Sequence, residues 1–205
     1  MKIVTLALGE LAANCYLLIE DKDCLLIDPA DAADYILETL QRDRLQLRAM
    51  LATHGHFDHL MAAGEIQLSY PNIPLFIDQK DRFLVDRLIP TARHFLHQPR
   101  LTVVPARCQF FSGRRLTMSP FKLKIIPVPG HTPGSVAFYF PESKAVFCGD
   151  TVFKAAIGRT DFSYGDRSAL LASIKHLIDC LPADTVIYPG HGEATSVGAQ
   201  RERLL

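Results

Sequence analysis

Neither sign of charge is in excess in this chain: lysine and arginine number 22, aspartate and glutamate number 22, and no long basic run occurs. Nucleic-acid backbones and anionic membrane surfaces are met by clustered positive charge, so neither is expected as a standing partner. Cysteine is sparse and scattered. Cys15, Cys24, Cys108, Cys148 and Cys180 are odd in number and contain no C-x-x-C pair. That argues against a zinc ribbon, a thioredoxin-like site or a disulfide framework, and for reduced thiols in a cytoplasmic protein. Long apolar runs are also missing, with nothing near the ~18 residues of a membrane span. The opening M-K-I-V-T-L-A-L-G-E-L-A-A-N-C holds a lysine, an apolar run and a cysteine. Gly9 and Glu10 break the run early, and Asn14 is a poor residue to precede a processing site, so it reads as a strand rather than an export signal.

What is present is an ordinary globular composition, 48% hydrophobic and 21% charged over 205 residues. A chain of this length can bury roughly 70% of its unfolded surface without covalent staples. No linker, repeat or low-complexity tract divides it, so one domain over 1–205 is expected. Short β-prone runs at 3–8, 14–20 and 24–27 precede a helix at about 31–44, with Asp31 as its N-cap. A short apolar run at 49–53 stops at a polar stretch, T-H-G-H-F-D-H, and helical character resumes from Leu60 until Pro71. Residues 75–77 read as a strand and 79–88 as a helix. The stretch 89–105, with prolines at 90, 99 and 105, reads as a loop or broken helix suited to a lid. Strands return at 109–111, 116–118, 121–128, 135–140 and 145–148, with turns at 112–113, 119–120 and 141–143. A helix at 167–180 and a strand at 185–188 close the pattern. Two halves, each strand-rich and then helical, fit an α/β protein built as a four-layer αββα sandwich.

The chemistry is concentrated in His54, His56, Asp58 and His59, which fall within six positions although the chain has only 8 histidines. Imidazole and carboxylate are natural ligands for zinc or iron where thiolates are absent. His54 and His56 flank a glycine and can face one side of an extended loop, while Asp58 and His59 can diverge toward a second centre. Three further sites share one syntax, an apolar run, a small residue, then a ligand-type residue: I-I-P-V-P-G-H ending at His131, A-V-F-C-G-D at Asp150, and T-V-I-Y-P-G-H at His191. Glycine ahead of each candidate permits a sharp turn and close backbone approach at a strand end. Together these supply five histidines and two aspartates, enough for two metal centres. His94, His97 and His176 read as solvated surface residues and Cys148 as a packed small hydrophobe. Phe153, Phe162 and Tyr164 are candidate cleft walls.

The string H-x-H-x-D-H followed by G-H, G-D and G-H resembles the metallo-β-lactamase superfamily, and within it the glyoxalase II-like hydrolases, over residues 14–193. The resemblance implies the αββα metallo-β-lactamase fold and two divalent metal ions, zinc in the first instance, with iron or manganese as alternatives. One ion would be held by His54, His56 and His131, the other by Asp58, His59 and His191, with Asp150 bridging both. Asp28, in L-L-I-D-P-A, would support the ligand loop from behind. Asp58 would be catalytic, orienting or deprotonating a bridging hydroxide that attacks a carbonyl. The implied substrate is a small-molecule thioester such as a hydroxyacylglutathione, D-lactoylglutathione being the best single choice. Lys154 and Arg159 are candidates for binding a substrate carboxylate. Only 14 residues follow His191, so the helical domain that carries much of the glutathione site in glyoxalase II proper is not expected. G-R-T-D-F, residues 158–162, is similar to the form in short glyoxalase II-like proteins and in persulfide dioxygenases. The rival reading is therefore a mononuclear-iron persulfide dioxygenase using His54, His131 and Asp150. A monomer or small homo-oligomer is expected.

Overall fold

The computed structural model describes residues 1–111 and 113–204. Ser112, expected to form a turn with Gly113, and Leu205 lie outside the described residues. The chain divides into two compact units, Met1–Phe111 and Ser112–Leu205. Each carries one six-stranded sheet.

In the first unit, β1 (Lys2–Leu8), β2 (Ala13–Glu20), β3 (Asp23–Ile27), β4 (Gln46–Leu51), β5 (Leu75–Ile77) and β6 (Cys108–Phe110) lie side by side in chain order. The first three pair antiparallel across tight turns; from β3 onward every pairing is parallel. Parallel neighbours need crossovers, and these are α1 (Ala33–Arg42), α2 (Ala63–Ser69), then α3 (Arg82–Asp86) with α4 (Leu88–Phe95). One face of the sheet, including Cys15, Leu17, Cys24, Leu26, Leu47 and Met50, packs with Ile36, Leu40, Ala63 and Ile66 of the helices in one buried cluster. Fully buried leucine and isoleucine side chains contribute about 2 kcal/mol each to this layer.

Two expectations need correction in this unit, and a third, the loop or broken helix from 89, is met by a helix that stops at Phe95. Asp31 is not the N-cap of α1: that position is Ala32, in a left-handed conformation with no side-chain cap, while the Asp31 carboxylate accepts from the Ala32 amide at 2.7 Å. The helix expected over 79–88 is a 3₁₀ turn, Gln79–Asp81, followed by the short α3. The proline-marked stretch from 89 opens inside a helix, because Pro90 is the third residue of α4. Proline is tolerated in a first turn, where its missing N–H has no intrahelical partner to lose.

In the second unit the sheet order is β12-β11-β10-β9-β8-β7. Its strands are β7 (Arg115–Met118), β8 (Phe121–Pro127), β9 (Val136–Phe140), β10 (Ala145–Gly149), β11 (Val186–Pro189) and β12 (Thr195–Ser196). Among the described residues only β10 and β11 of this sheet pair parallel, joined across the sheet face by α5 (Arg167–Cys180). Asp166 caps α5 by accepting from the Ala169 amide at 2.9 Å. Leu170, Ile174, Leu177 and Ile178 recur at helical spacing and pack with Val128, Ala137, Val146 and Ile187 of the sheet side. Helix α5 falls on the residues its apolar spacing predicts, whereas β12 and the C-terminal α6 (Val197–Leu204) are elements beyond the predicted pattern. Among the described residues no helix is long and apolar enough to cross a membrane.

The thiols differ sharply in exposure. Cys15, Cys24 and Cys148 are buried and Cys180 is exposed. Burial pushes the Cys24 thiol up to about 12, and Cys15 is raised further by the same cause. Brief alkylation of the native protein with iodoacetamide is therefore expected to modify Cys180 first and to spare Cys15, Cys24 and Cys148 until denaturant is added. Peptide mass mapping reads the order.

Candidate metal centre

In the first unit, β3 and β4 run parallel, so their carboxyl ends fall together, and the candidate residues leave from there. Asp28 follows β3 directly and takes φ +50, a left-handed conformation that aspartate tolerates better than most residues. Its carboxylate is 1% exposed. One oxygen accepts from the Thr53 amide at 2.7 Å, and the other accepts from the Thr53 hydroxyl at 2.7 Å. The second oxygen also faces His59 Nδ1 at 3.1 Å.

These bonds fix the proton positions on two imidazoles. An ionised carboxylate only accepts, so His59 Nδ1 must carry the hydrogen. The Thr53 hydroxyl spends its proton on Asp28, so it accepts from His54 Nδ1 at 3.0 Å. Both rings then present the lone pair of Nε2. His54 is 1% and His59 0% exposed, and His56 and Asp58 are half-buried. His54 Nε2 lies 3.2 Å from His56 Nδ1. Two nitrogens bound to one tetrahedral zinc at ~2.05 Å are about 3.4 Å apart, close to this spacing. Asp58 Oδ2 stands 3.6 Å from His59 Nε2. Asp28, His54 and His59 each bring a ligand-type atom within 4.8 Å of the others.

Two residues of this loop's support escaped the sequence reading. Thr53 relays Asp28 to His54, and its only sequence signal was its place immediately before the motif. Asp81, fully buried, accepts from the Gly55 amide at 2.9 Å and so holds the H-G-H turn. A side chain at Gly55 would press on Asp81 at 2.9–3.0 Å.

In the second unit, β9 is antiparallel to both β8 and β10, and β11 is parallel to β10. The carboxyl ends of β8, β10 and β11 therefore share one edge of the sheet and deliver His131, Asp150 and His191 to it. Asp150 Oδ2 lies 3.5 Å from His131 Nε2 and 3.8 Å from His191 Nε2. These spacings exceed a hydrogen bond and suit donors that share a cation. His131 Nδ1 donates to the Arg159 carbonyl at 2.8 Å, so this ring too turns the lone pair of Nε2 toward Asp150. Buried imidazoles with Nδ1 engaged and Nε2 presented are what a zinc or iron site requires, and this donor set fits such a metal.

The glycines ahead of the strand-end candidates act differently from one another. Gly130 (φ +139) sits so close to α5 that a Cβ would lie 2.3 Å from the Leu170 amide nitrogen. Gly149 has φ +51. Gly190 is not in the left-handed region, and the turn at His191 falls instead on Gly192 at φ +73, which corrects the third instance of the expected syntax.

The two basic candidates already have partners. Lys154 pairs with Glu193 at 2.6 Å, both exposed. Arg159 makes two 2.7 Å hydrogen bonds to Asp161 and lies 4.5 Å over the Phe162 ring. Phe162 in turn stacks on Tyr164 and meets the His131 ring edge-on. The Arg159 guanidinium holds the Asp161 carboxyl down at about 2. A depressed carboxylate contributes above its unfolded value and loses its effect only as pH falls through about 2, so the pair stays ionised near neutrality. His94, His97 and His176 are exposed and Cys148 is buried.

Two sheet-and-helix units, each with imidazole and carboxylate donors gathered at strand ends, define a metal-binding α/β protein. Residues 8–191 match the family model of the metallo-beta-lactamase superfamily, and the chain belongs to that superfamily of metallo-hydrolases. Over 202 residues, 98% of this chain and 95% of the other, it is 33% identical to a Haemophilus influenzae protein named hydroxyacylglutathione hydrolase GloC. Among solved structures it is similar to the BLEG-1 B3 metallo-beta-lactamase, with TM-score 0.90 and 33% identity over 98% of this chain and 97% of that one. It is also similar to TTHA1623 in a di-iron-bound form, with TM-score 0.87 and 32% identity over 97% and 96% of the two chains.

Replacing Asp28 with alanine removes a buried acceptor from three donors and forces alanine into a left-handed conformation. A loss of about 3 kcal/mol or more is expected in urea unfolding. Asp28→Asn keeps the size and tolerates the backbone, so it should cost less stability while still lowering bound metal. Gly130→Ala should destabilise at least as much as Asp28→Ala, because its Cβ meets backbone rather than a side chain that can move.

Proposed function

We propose that this protein is a dinuclear metallohydrolase that cleaves a thioester, with a hydroxyacylglutathione such as D-lactoylglutathione as its substrate. The observation that carries this reading is the donor set. Five histidines and two aspartates of the ligand type occupy the strand ends and the H-x-H-x-D-H loop, with three imidazoles held in the tautomer that offers Nε2. The full-length likeness to GloC supports the substrate class. In this proposal His54, His56 and His131 hold one ion, Asp58, His59 and His191 the other, and Asp150 is shared. Zinc suits the donors, and the di-iron form of TTHA1623 supports iron as an alternative.

Two divalent cations at these residues would supply hydroxide near neutral pH and draw electron density from a substrate carbonyl. The remaining work falls to the chain. Asp58, half-buried beside His59, orients the attacking oxygen and takes its proton. Asp28 and Thr53 keep His59 and His54 in their tautomers throughout. A thiolate, with a pKa near ~8.5, leaves without a proton, so no further acid is required of the site. Lys154 and Arg159 are proposed to meet the substrate's carboxylates, each exchanging a resident carboxylate, Glu193 or Asp161, for the incoming one.

The likeness to BLEG-1 favours β-lactam hydrolysis as a second reading. It ranks lower because a lactam nitrogen leaves as an amine and must be protonated.

Purified protein should carry about two zinc, iron or manganese ions per chain and release thiol from S-D-lactoylglutathione much faster than it opens a chromogenic cephalosporin. Asp58→Ala is expected to lower kcat by about 10²- to 10⁴-fold, the usual weight of a proton-transfer group. One iron per chain, with oxygen consumed on glutathione persulfide, would reject hydrolysis in favour of the oxygenase. Full activity in Asp58→Ala would reject the assigned role.

A further inference from the structure

Residues 151–158 form a hairpin directly after Asp150. Val152 bridges Ile157, the Phe153 amide donates to the Ala156 carbonyl at 3.0 Å, and the Gly158 amide donates to the Thr151 carbonyl at 3.2 Å. Its legs close tightly, since a Cβ on Gly158 would lie 1.9 Å from the Asp150 carbonyl oxygen. This one hairpin reaches every candidate ligand of the second unit. It begins at Asp150, and the carbonyl of Arg159 at its far end fixes His131 Nδ1. The Phe153 ring, on its tip, meets the His191 ring at 6.4 Å between centroids.

The tip is gripped by the C-terminal helix. Gln200, 1% exposed, donates its amide to the Lys154 carbonyl at 3.1 Å and to the Thr195 hydroxyl at 3.1 Å. Arg203 donates to the Ala156 carbonyl at 3.2 Å and reaches the Phe153 carbonyl at 3.5 Å. The same guanidinium makes bonds of 3.0 and 2.8 Å to the Gln200 side-chain oxygen, which orients that amide. Helix α6 also has docking contacts apart from these. Val197 is buried in the α5 cluster, and Arg201 donates to the Ile178 carbonyl at 2.7 Å. Arg203 therefore serves the hairpin and the orientation of Gln200, whose amide is shared between the hairpin and Thr195 of β12.

We infer that Gln200 and Arg203 are positioning residues for the metal centre, bracing from α6 the hairpin that places Asp150, His131 and His191. The inference rests on the dinuclear reading above. Without the brace the tip carbonyls turn to water, and the two ends of the hairpin, one a ligand and the other the partner of a ligand, lose their fixed separation. A small displacement of donors weakens cation binding long before it unfolds a sheet.

The test measures zinc affinity by competition with a chromogenic chelator, alongside melting of the zinc-free proteins, for wild type, Arg203→Ala, Gln200→Ala and Glu202→Ala. Arg203→Ala and Gln200→Ala are expected to bind zinc about tenfold more weakly, at the low end for outer-shell changes. Glu202→Ala should match wild type, and the zinc-free melting point of Arg203→Ala should move by no more than about 2 °C. Arg203→Lys, which restores one donor, should recover part of the affinity. Unchanged zinc affinity in Arg203→Ala overturns the inference. So does a loss of zinc-free stability in that variant large enough to account for the weaker binding. Should Gln200→Ala fail to fold, Arg203→Ala decides alone, because Arg203 is exposed. Wild type that binds no zinc, iron or manganese would instead bring down the dinuclear reading, and the brace with it.

Discussion

The carboxylate of Asp28 is the constraint around which the first unit is arranged. A buried anion is tolerated only when its oxygens are satisfied, and here the satisfying donors are the Thr53 amide, the Thr53 hydroxyl and a ring nitrogen of His59. That requirement draws the H-x-H-x-D-H loop onto the end of β3. It also dictates the protonation of His54 and His59 through a chain of donors that runs only one way. The cost is visible in the backbone, where Asp28 stands at φ +50 immediately before a proline. A strained, fully bonded carboxylate is an expensive way to hold a loop. It is understandable if the orientation of the imidazoles is what the fold must secure.

The second unit solves the same problem without a buried acid. His131 is oriented by a backbone carbonyl, and its loop is pinned by α5. The Ser173 hydroxyl donates to the Pro129 carbonyl at 2.7 Å, and the Asp166 amide donates to the Gly130 carbonyl at 2.8 Å. Only glycine fits at position 130 under the Leu170 backbone. Asp150 and His191 are tied through their strands, with the Gly190 amide donating to the Gly149 carbonyl at 2.8 Å. Order here comes from sheet register and helix contact, so it is spread over many residues.

That difference explains which parts were legible in the sequence. Apolar spacing on one face placed α5 on its observed residues, and β-prone runs bounded by turn residues placed β1, β2 and β8 to within a residue or two. The candidate ligands stood out because rare residue types clustered or repeated one syntax. Thr53, Asp81, Gln200 and Arg203 did not, because each acts through a contact made across sequence separations of 25 to 47 residues or beside a motif already read. Helix α6 was invisible for another reason. V-G-A-Q-R-E-R-L offers almost no apolar stripe, and its seat rests on the single buried Val197 and the Arg201 bond to the Ile178 carbonyl of α5. Asp31 misled because an aspartate before a helix is normally its cap, whereas here it folds back on the next amide.

On the proposed reading, the choice of scissile bond follows from what the site does with its protons. Asp28 is committed to Thr53 and His59, and His54, His59 and His131 turn their Nδ1 atoms to fixed acceptors. The groups that could pass a proton to a departing atom are thus occupied in orienting ligands, and only Asp58 is assigned to receive one. A bond whose leaving group departs as a stable anion suits such a site, and a thioester has that property. A lactam or peptide nitrogen does not, since it needs a proton that must return from Asp58 after the attack. The hydrogen bonds that set the imidazoles therefore also limit the chemistry, and the orientation of the donors and the preference for a sulfur leaving group have one physical origin.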